Sequence, residues 1–328
     1  MNKRFYPLTA FLVLAIAVMA CASPLGGGDG QPASPNQVET IVAATIQALT
    51  PVSSGGETPA PTSMPAPAGL LPHAMYFVNT DSAGIAQVFR LETDGKTVTQ
   101  LTFEPSAVGS YDVSMADGSI VYVANNQLLL INADGSGRRL LVDGGPVDPN
   151  NPFITSLTSP VFSPNGQTIA YSNRGLILYA VSTGVSNTAL EDVFFDTATE
   201  SYLPGELYIP QEFSPDGTKL LVTTAIPNSD GIASGIFYIA ASTLVRLSGG
   251  DGARLCCSGQ AWTSDSSALY VGIPFVGMFG SGLWRADAAT GNLTTLLPTE
   301  AGGGAYNLAA FPYPAPDGNL YFLGLTQN

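Results

Sequence analysis

The chain has very little of what catalysis and metal binding usually require. Its 328 residues include one histidine, His73, and only three cysteines. A Ser-His-Asp triad would depend on His73 alone, and there is neither a Gly-x-Ser-x-Gly nucleophile elbow nor a phosphate-binding glycine loop. No set of His, Cys and carboxylate residues has the spacing of metal ligands. The sequence therefore predicts no catalytic residue and no metal site within these residues.

Positive charge is also scarce. The chain has 11 Lys and Arg against 25 Asp and Glu, a formal net charge of −14. Such a surface repels phosphate backbones, so nucleic acid is not an expected partner. After residue 20, no apolar stretch reaches the roughly 20 residues that a membrane-spanning helix needs. The composition therefore predicts a protein that neither binds nucleic acid nor crosses a membrane with a helix after residue 20.

The cysteines are Cys21, Cys256 and Cys257. The adjacent pair leaves three alternatives open. It forms a strained disulfide between neighbours, it provides two separate thiols on opposite faces of a strand, or it acts as a redox or soft-metal pair.

The first 20 residues have the composition of an export signal. Lys3 and Arg4 precede an apolar stretch, Leu8 to Ala20, which is too short to span a membrane and ends at a small residue before Cys21. This arrangement resembles a bacterial lipoprotein signal, which implies that residues 1–20 are removed and that Cys21 carries the lipid. The alternative is an ordinary signal peptide cleaved near Ala20 or Ala22. The resemblance implies a membrane-anchored protein that faces the periplasm or the exterior.

Residues 21–72 are predicted to form a stalk. They are rich in Pro, Gly, Ser and Ala, which favours a semi-extended spacer. A short helix is predicted at 36–49, where Asn36 and Glu39 form a capping box and Pro51 follows the last turn. The stalk would hold the folded part of the chain away from a membrane.

From residue 73 onward, one pattern recurs five times. Each copy has an apolar run, a turn like Ser-Pro-Asp-Gly, and a second run of β-branched and aromatic residues. The turn positions Gly118, Gly166, Gly217, Ser266 and Gly318 are 48, 51, 49 and 52 residues apart. A period near ~50 residues with strand-type content is typical of a β-propeller, with one four-stranded antiparallel blade per repeat. The predicted fold class is therefore all-β.

The repeats resemble the TolB-like, WD-like propeller repeats, whose hallmark is the Ser-Pro-Asp-Gly tetrapeptide. The match is complete at Ser214 to Gly217, differs by one residue at Ser163 to Gly166, and is partial in the other copies. It covers residues 73–328. Such propellers serve as docking platforms, as accessory domains of enzymes and as sensors, so the resemblance implies a fold and not a ligand.

The two ends of the repeat region do not match. The first unit lacks an inner strand, and the last supplies strands only at 307–311 and 320–323. The first interpretation is a fragment of a propeller with six or more blades, of which about five and a half are present. The alternative is a five-bladed ring in which the strand at 307–311 joins the first unit.

Two insertions are the candidate binding loops. The third unit carries an insertion with Phe194, Phe195 and Tyr202, and the fifth carries one with Phe275, Met278 and Phe279. Exposed aromatic residues in propeller loops often contact partners, although these side chains could instead fold back over their blades. Oxygen-rich loops such as the one around Asp148 are weak candidates for calcium, the only cofactor considered.

The expected function is that of a lipid-anchored, extracytoplasmic platform that binds a protein or a glycan of the cell envelope without catalysing a reaction. One alternative is that the propeller belongs to a larger hydrolase or lyase with its catalytic residues beyond Asn328. Another is an envelope sensor or assembly factor.

Overall fold

A computed structural model describes residues 69–150, 152–196, 201–226, 232–247, 259–275 and 281–327. These residues lie in one compact unit, Pro67–Asn328. The signal segment with Cys21, the predicted helix at 36–49, the pair Cys256 and Cys257, and Met278 with Phe279 fall outside the described residues.

The strands follow one another along the chain in six antiparallel sheets and one hairpin. Sheet 1 has three strands, β1 (Met75–Thr80), β2 (Ala86–Leu91) and β3 (Val98–Gln100). Sheet 2 contains β4 (Val108–Val113), β5 (Ile120–Ala124), β6 (Gln127–Ile131) and β7 (Arg139–Asp143). A four-residue helix, α1 (Pro152–Thr155), precedes sheet 3, which contains β8 (Thr158–Phe162), β9 (Thr168–Ser172), β10 (Gly175–Ala180) and β11 (Val185–Glu191).

The second half repeats the same order. The hairpin of β12 (Val193–Asp196) and β13 (Ser201–Pro204) leads to sheet 4, with β14 (Leu207–Phe213), β15 (Lys219–Ala225), β16 (Ile232–Tyr238) and β17 (Thr243–Arg246). Sheet 5 contains β18 (Gln260–Trp262), β19 (Ala268–Ile273), β20 (Gly282–Asp287) and β21 (Leu293–Leu297). Sheet 6 contains β22 (Glu300–Gly302), β23 (Ala305–Pro314) and β24 (Leu320–Gln327).

The Ser-Pro-Asp-Gly turns join the first two strands of a sheet through a fixed set of hydrogen bonds. In sheet 4 the Ser214 hydroxyl donates to Asp216 Oδ1 at 2.6 Å, and the amide of Gly217 donates to the Ser214 carbonyl at 2.8 Å. Gly217 has a φ of +70°, which favours glycine. In the equivalent turn of sheet 5, hydrogen bonds from Thr263 and then Ser267 lower the pKa of Asp265 to about 2. The turn aspartates therefore stabilise the turns by accepting hydrogen bonds within them.

The middle strands are buried on both faces. All five residues of β5 are buried, and they alternate between two hydrophobic clusters because successive side chains point to opposite faces. Val121 and Val123 pack toward sheet 3, whereas Ile120 and Tyr122 pack toward sheet 1. Each sheet thus shares its apolar side chains between its two neighbours.

Four such clusters make up the described core, each between consecutive sheets. They include Val88 with Tyr122 for sheets 1 and 2, Leu128 with Tyr171 for sheets 2 and 3, Leu176 with Phe237 for sheets 3 and 4, and Leu221 with Trp262 for sheets 4 and 5.

The first strand of each sheet lies innermost. β8 contacts both β4 and β14, the first strands of the sheets on either side. The last strands carry exposed residues such as Leu140, Val185 and Leu296. Sheets stacked with their first strands together and their last strands outward have the architecture of propeller blades. The predicted all-β propeller of four-stranded antiparallel blades is therefore confirmed.

The antiparallel order divides the connections between two ends of the sheets. The turns between first and second strands and between third and fourth strands lie at one end, the turn face. Neighbouring turns touch there, because the amide of Asp216 donates to Ser266 Oγ at 3.0 Å and Gly217 lies against Pro164. The connections between second and third strands, and those from one sheet to the next, lie at the opposite end, the loop face.

The two ends of the repeat region bear on the predicted alternatives, a fragment of a larger propeller or a five-bladed ring. Sheet 1 lacks a first strand among the described residues, as predicted. The strand expected at 307–311 is the longer β23, which pairs with β22 and β24 and not with sheet 1. The five-bladed closure through this strand is therefore wrong. The insertion of the third unit, expected as a loop, forms the hairpin β12–β13 because Phe194 pairs with Leu203 and Phe195 with Tyr202.

We expect the interfaces between sheets to carry the stability. Leu220→Ala removes a fully buried side chain between sheets 3 and 4, and should lower the free energy of unfolding by about 2–5 kcal/mol. The matched control Leu296→Ala, on the exposed strand β21, should cost less than about 1 kcal/mol. Urea unfolding of both variants measures the difference. Equal losses would contradict the two-faced core.

Candidate functional site

The loop face presents a series of exposed apolar side chains. They come from four different connections, two between consecutive sheets, one of which contains α1, and two between second and third strands. The residues are Phe103, Val147, Phe153, Ile226 and Phe275. Phe103 and Phe153 are the most exposed, at 76% and 72%. Among the described residues beside the turns of the turn face, Met115 and Leu70, which contacts the β2–β3 turn at Gly95, are also large, apolar and exposed, but neither is aromatic. The exposed aromatic side chains make the loop face the candidate binding surface.

A buried acid fixes the connection that carries Phe103. The next residue, Glu104, accepts hydrogen bonds from the Tyr122 hydroxyl at 2.7 Å and from Arg138 Nε at 2.7 Å. The hydrogen bond from Arg138 is the main cause of a lowered pKa of Glu104. The Gln87 side chain also donates to the Glu104 carbonyl at 2.8 Å. Because Glu104 is held from sheets 1 and 2, the adjacent Phe103 projects from a fixed backbone.

The helix that carries Phe153 is fixed in a similar way. Ile154, the next residue of α1, is buried, and its carbonyl accepts a hydrogen bond from the Arg174 amide at 2.9 Å. The Asn126 side chain donates to the Thr155 carbonyl at 3.1 Å and accepts from the Leu157 amide at 2.6 Å. Two turns of neighbouring sheets therefore clamp α1 while Phe153 faces solvent.

A cleft lies beside this clamp. It has a volume of about 580 Å³ and is lined by Asn125, Asn126, Gln127, Asp143, Gly145, Pro146 and Val147. Its lining is mainly polar amide and backbone groups with one exposed valine. A cleft of this composition suits a loop or short side chain of a partner better than a large apolar ligand, which requires a predominantly apolar lining.

The hairpin β12–β13 carries three of the predicted binding residues. In the register of its strands Phe195 pairs with Tyr202 and Phe194 with Leu203. The hairpin connects sheet 3 to sheet 4 and therefore stands on the loop face. Phe275 reaches the same face from the β19–β20 connection and is exposed. The structure thus brings these predicted residues to one end of the propeller.

The base of the hairpin contains an unusual carboxylate. Asp192 is 1% exposed, and neither of its carboxylate oxygens has a hydrogen-bond partner among the described residues. Burial raises the pKa of Asp192 to about 6. The Asp192 carbonyl accepts a hydrogen bond from Gly205 at 2.6 Å, which closes the hairpin base. No feature of the sequence distinguishes this residue, since an acid next to a strand is ordinary.

Two further carboxylates lie on inner strands on either side of β8. Asp112 on β4 and Glu212 on β14 occupy equivalent positions, each two residues before the serine of its turn. Desolvation raises the pKa of Asp112, whose Oδ2 accepts a hydrogen bond from the Phe162 amide at 2.7 Å. Desolvation and then the charge of Asp112 raise the pKa of Glu212 to about 7. The charge of Asp112 thus makes ionisation of Glu212 harder.

In the described part of the chain, no group of three or more His, Cys, Asp or Glu side chains is arranged to hold a metal ion. His73 lies exposed at the start of sheet 1. Within the same residues, no helix has the length and apolarity that crossing a bilayer requires. The calcium expectation remains a prediction.

Sequence reasoning located the insertions but missed Phe103 and Phe153. Phe103 lies in the short connection 101–107 and Phe153 in the helical part of the longer connection 144–157, so their place at the loop end of antiparallel sheets distinguishes them. An aromatic residue followed by a buried acid or aliphatic residue, as in Phe103-Glu104 and Phe153-Ile154, is the only local signal.

Solved structures of other proteins have similar folds at low sequence identity. TolB from Acinetobacter baumannii is 15% identical, with 91% of this chain and 71% of that chain covered and a TM-score of 0.48. A putative TolB from Agrobacterium tumefaciens is 17% identical, with 70% and 74% covered and a TM-score of 0.45. Oligogalacturonate lyase from Vibrio parahaemolyticus is 10% identical, with 77% and 86% covered and a TM-score of 0.37.

No family model and no curated protein sequence matches the chain. The predicted resemblance to TolB-like propellers agrees with the first two structures. The propeller architecture itself rests on the six sheets and their packing, and no role is transferred from these likenesses.

The pKa of Asp192 predicts a dependence of stability on pH. A folded-state pKa of about 6, above the unfolded value of about 4, means that the folded chain holds the extra proton between these values. The free energy of unfolding should therefore fall as the pH rises from about 4 to about 6. Asp192→Asn should reduce this fall, as measured by urea unfolding across that range.

The matched control for this test is Glu191→Gln, a neutralising substitution at the exposed neighbour of Asp192. It should leave the pH dependence as it is in the unaltered chain. An Asp192→Asn variant with the original slope would show that burial of this carboxyl has no energetic consequence.

Proposed function

We propose that this protein is a lipid-anchored, extracytoplasmic β-propeller that binds a protein of the cell envelope through its loop face, without catalysing a reaction. The observation that supports it most strongly is the set of five exposed apolar side chains on that face. Exposed aromatic residues at the centre of a surface are the side chains that dominate binding energies in protein interfaces.

The rigidity of these side chains supports the proposal. The backbone at Phe103 is fixed by the contacts of Glu104. The helix that carries Phe153 is fixed by hydrogen bonds from Asn126 and the Arg174 amide. A side chain that is already positioned loses less conformational entropy when a partner binds, so more of the contact energy contributes to affinity. Aromatic side chains that merely covered a blade would not be held outward in this way.

A protein is favoured over a glycan as the partner. The exposed residues of the loop face include aliphatic Val147 and Ile226, which contribute to protein interfaces but do not stack on sugar rings. The alternative of an enzyme would use the inner-strand carboxylates Asp112 and Glu212, whose pKa values are raised, or residues outside the described part of the chain, because the turn aspartates and Glu104 are occupied by structural hydrogen bonds. A role as envelope sensor or assembly factor would use the same surface.

Replacement of the two most exposed phenylalanines should weaken partner binding. The double variant Phe103→Ser with Phe153→Ser should recover at least tenfold less partner than the unaltered protein, because each large aromatic contributes more than about 1 kcal/mol in such interfaces. The measurement is quantitative mass spectrometry of proteins crosslinked to the membrane-bound protein in intact cells.

Met115→Ser is the matched control, since Met115 is an exposed apolar residue of the turn face. It should recover the partner as the unaltered protein does. If the double phenylalanine variant recovers the same partner in the same amount, the loop face is not the binding surface. Binding of the purified chain to glycans and to no protein would also contradict the proposal.

The proposed anchor depends on Cys21. Cys21→Ser should abolish incorporation of a labelled fatty acid and release the protein from the membrane fraction, because the lipid is joined through this thiol. Fatty-acid labelling followed by gel fluorography measures the result. An unlabelled parent chain, exported and cleaved near Ala20, would instead support the ordinary signal peptide.

A further inference from the structure

The cleft beside α1 contains hydrogen-bonding groups that the fold does not use. The side chain of Asn126 is occupied, because it donates to the Gly145 carbonyl at 2.9 Å and accepts from the Leu157 amide at 2.6 Å. The side chains of Asn125 and Gln127 line the same cleft and make no hydrogen bond among the described residues. Their amide groups are therefore available to a ligand.

The cleft also contains one carboxylate without a cationic partner in the described chain. Asp143 and Gln127 share a face of sheet 2, because they pair directly across β7 and β6. Asp143 Oδ1 accepts a hydrogen bond from the Gly145 amide at 3.0 Å, and none of the ion pairs among the described residues includes this side chain. Its second oxygen, Oδ2, thus remains open to a donor beside the amide group of Gln127.

The charge around this carboxylate is negative. Between residues 140 and 173 the sequence has two Asp residues, of which Asp143 is one, but neither Lys nor Arg. Arg139, the cation of β7, pairs with Leu130, which lies on the opposite face of the sheet from Gln127. A cleft of this charge, in a chain with a net charge of −14, attracts cationic groups.

The walls of the cleft are fixed before a ligand binds. The Gly144 amide donates to the Asn126 carbonyl at 2.9 Å, so the connection after β7 is joined to the turn between β5 and β6. A Cβ atom at Gly144 would lie 2.7 Å from that carbonyl oxygen, and this close approach requires glycine. Pro146 and Val147, on the same connection, add apolar groups to the lining. Fixed walls reduce the entropy that is lost on binding.

We propose that this cleft receives an arginine side chain from a loop of the partner protein. The guanidinium group donates to the Asp143 carboxylate and to the side-chain carbonyls of Asn125 and Gln127, while its methylene groups pack against Pro146 and Val147. Arginine fits better than lysine, because a planar group with five N–H donors can serve several acceptors at once. The inference rests on the proposed function and names the side chain that the partner places on the loop face.

The test uses the full chain in detergent micelles, isotopically labelled at the side-chain nitrogens of Asn and Gln and observed by NMR. The probe is a five-residue peptide, Gly-Ser-Arg-Ser-Gly with blocked ends, added to millimolar concentration at low ionic strength. It should shift the amide signals of Asn125 and Gln127 in a saturable manner. A twin with citrulline, a neutral analogue of arginine, should bind at least tenfold more weakly, and a twin with lysine at least threefold more weakly.

Variants of the chain locate the site. Asp143→Asn keeps the oxygen that accepts from Gly145 but removes the charge, and should weaken binding of the arginine peptide at least tenfold. Asp134→Asn is the matched control, because Asp134 is an exposed acid at the opposite end of sheet 2 whose Oδ1 also accepts from an amide two residues on. It removes the same charge and should stay within twofold of the unaltered chain. Urea unfolding verifies that each variant is folded.

Gln127→Leu provides a second variant if Asp143→Asn does not fold. It removes one acceptor and leaves the charge of the cleft intact, so it should weaken binding of the arginine peptide at least threefold.

The outcomes separate the possible occupants of the cleft. The proposal is overturned if the arginine peptide shifts neither signal, if the citrulline or lysine twin binds equally well, or if Asp143→Asn leaves the affinity unchanged. Shifts caused by calcium chloride or by a neutral oligosaccharide, with none from the peptide, would assign the cleft to that ligand and overturn the proposal as well.

The loop-face variant with Phe103→Ser and Phe153→Ser keeps the two proposals distinguishable. It should bind the arginine peptide as the unaltered chain does. If it also recovers the partner in full, the proposed function fails while the cleft site stands. If it loses the partner and the arginine peptide shifts neither signal in the unaltered chain, the cleft proposal fails alone.

Discussion

Burial of both faces of the middle sheets is the constraint on which the structure depends. A β-strand presents alternate side chains to opposite sides, and in β5 both sets are apolar. A sheet of this kind exposes too much apolar surface to be stable alone, so it requires a neighbour on each side. The described chain meets this requirement four times over, with one cluster at each interface between sheets 1 and 5. The turns and connections have a simpler task, because they only link the end of one strand to the start of the next in the stacked sheets.

The sequence predicted this architecture well because the information is local and repeated. The turn at Ser214 to Gly217 specifies its own hydrogen bonds, and the recurrence near ~50 residues gives the unit. The pairing of β23 was not predictable, since the strand at 307–311 has the same alternation whether it joins sheet 1 or begins a sheet of its own. The hairpin β12–β13 was not predicted because its two strands have four residues each, too few for a clear alternation of apolar and polar residues. Asp192 could not be identified because its environment is created by residues distant in sequence.

The two ends of the propeller differ in how strongly a substitution disturbs the sheets. On the turn face, hydrogen bonds such as that from Asp216 to Ser266 link one blade to the next, so a substitution there affects two sheets. On the loop face, each connection is attached separately, by Glu104 for one and by Asn126 for another. Residues such as Phe103 and Phe153 can therefore change without disturbing the sheets that support them. Recognition through the proposed loop-face surface would therefore lie at the end of the propeller where substitution is least costly.

The order of the sheets along the chain has a consequence for how the protein acquires its structure. Every interface of the described core joins sheets that are consecutive in sequence, so its contacts span short stretches of polypeptide. Short contour distances lower the entropy lost on loop closure and are associated with rapid folding. A blade that leaves the ribosome or a translocation channel can dock at once on the one before it. Growth from the amino-terminal end thus limits the time during which an uncovered sheet could meet other chains.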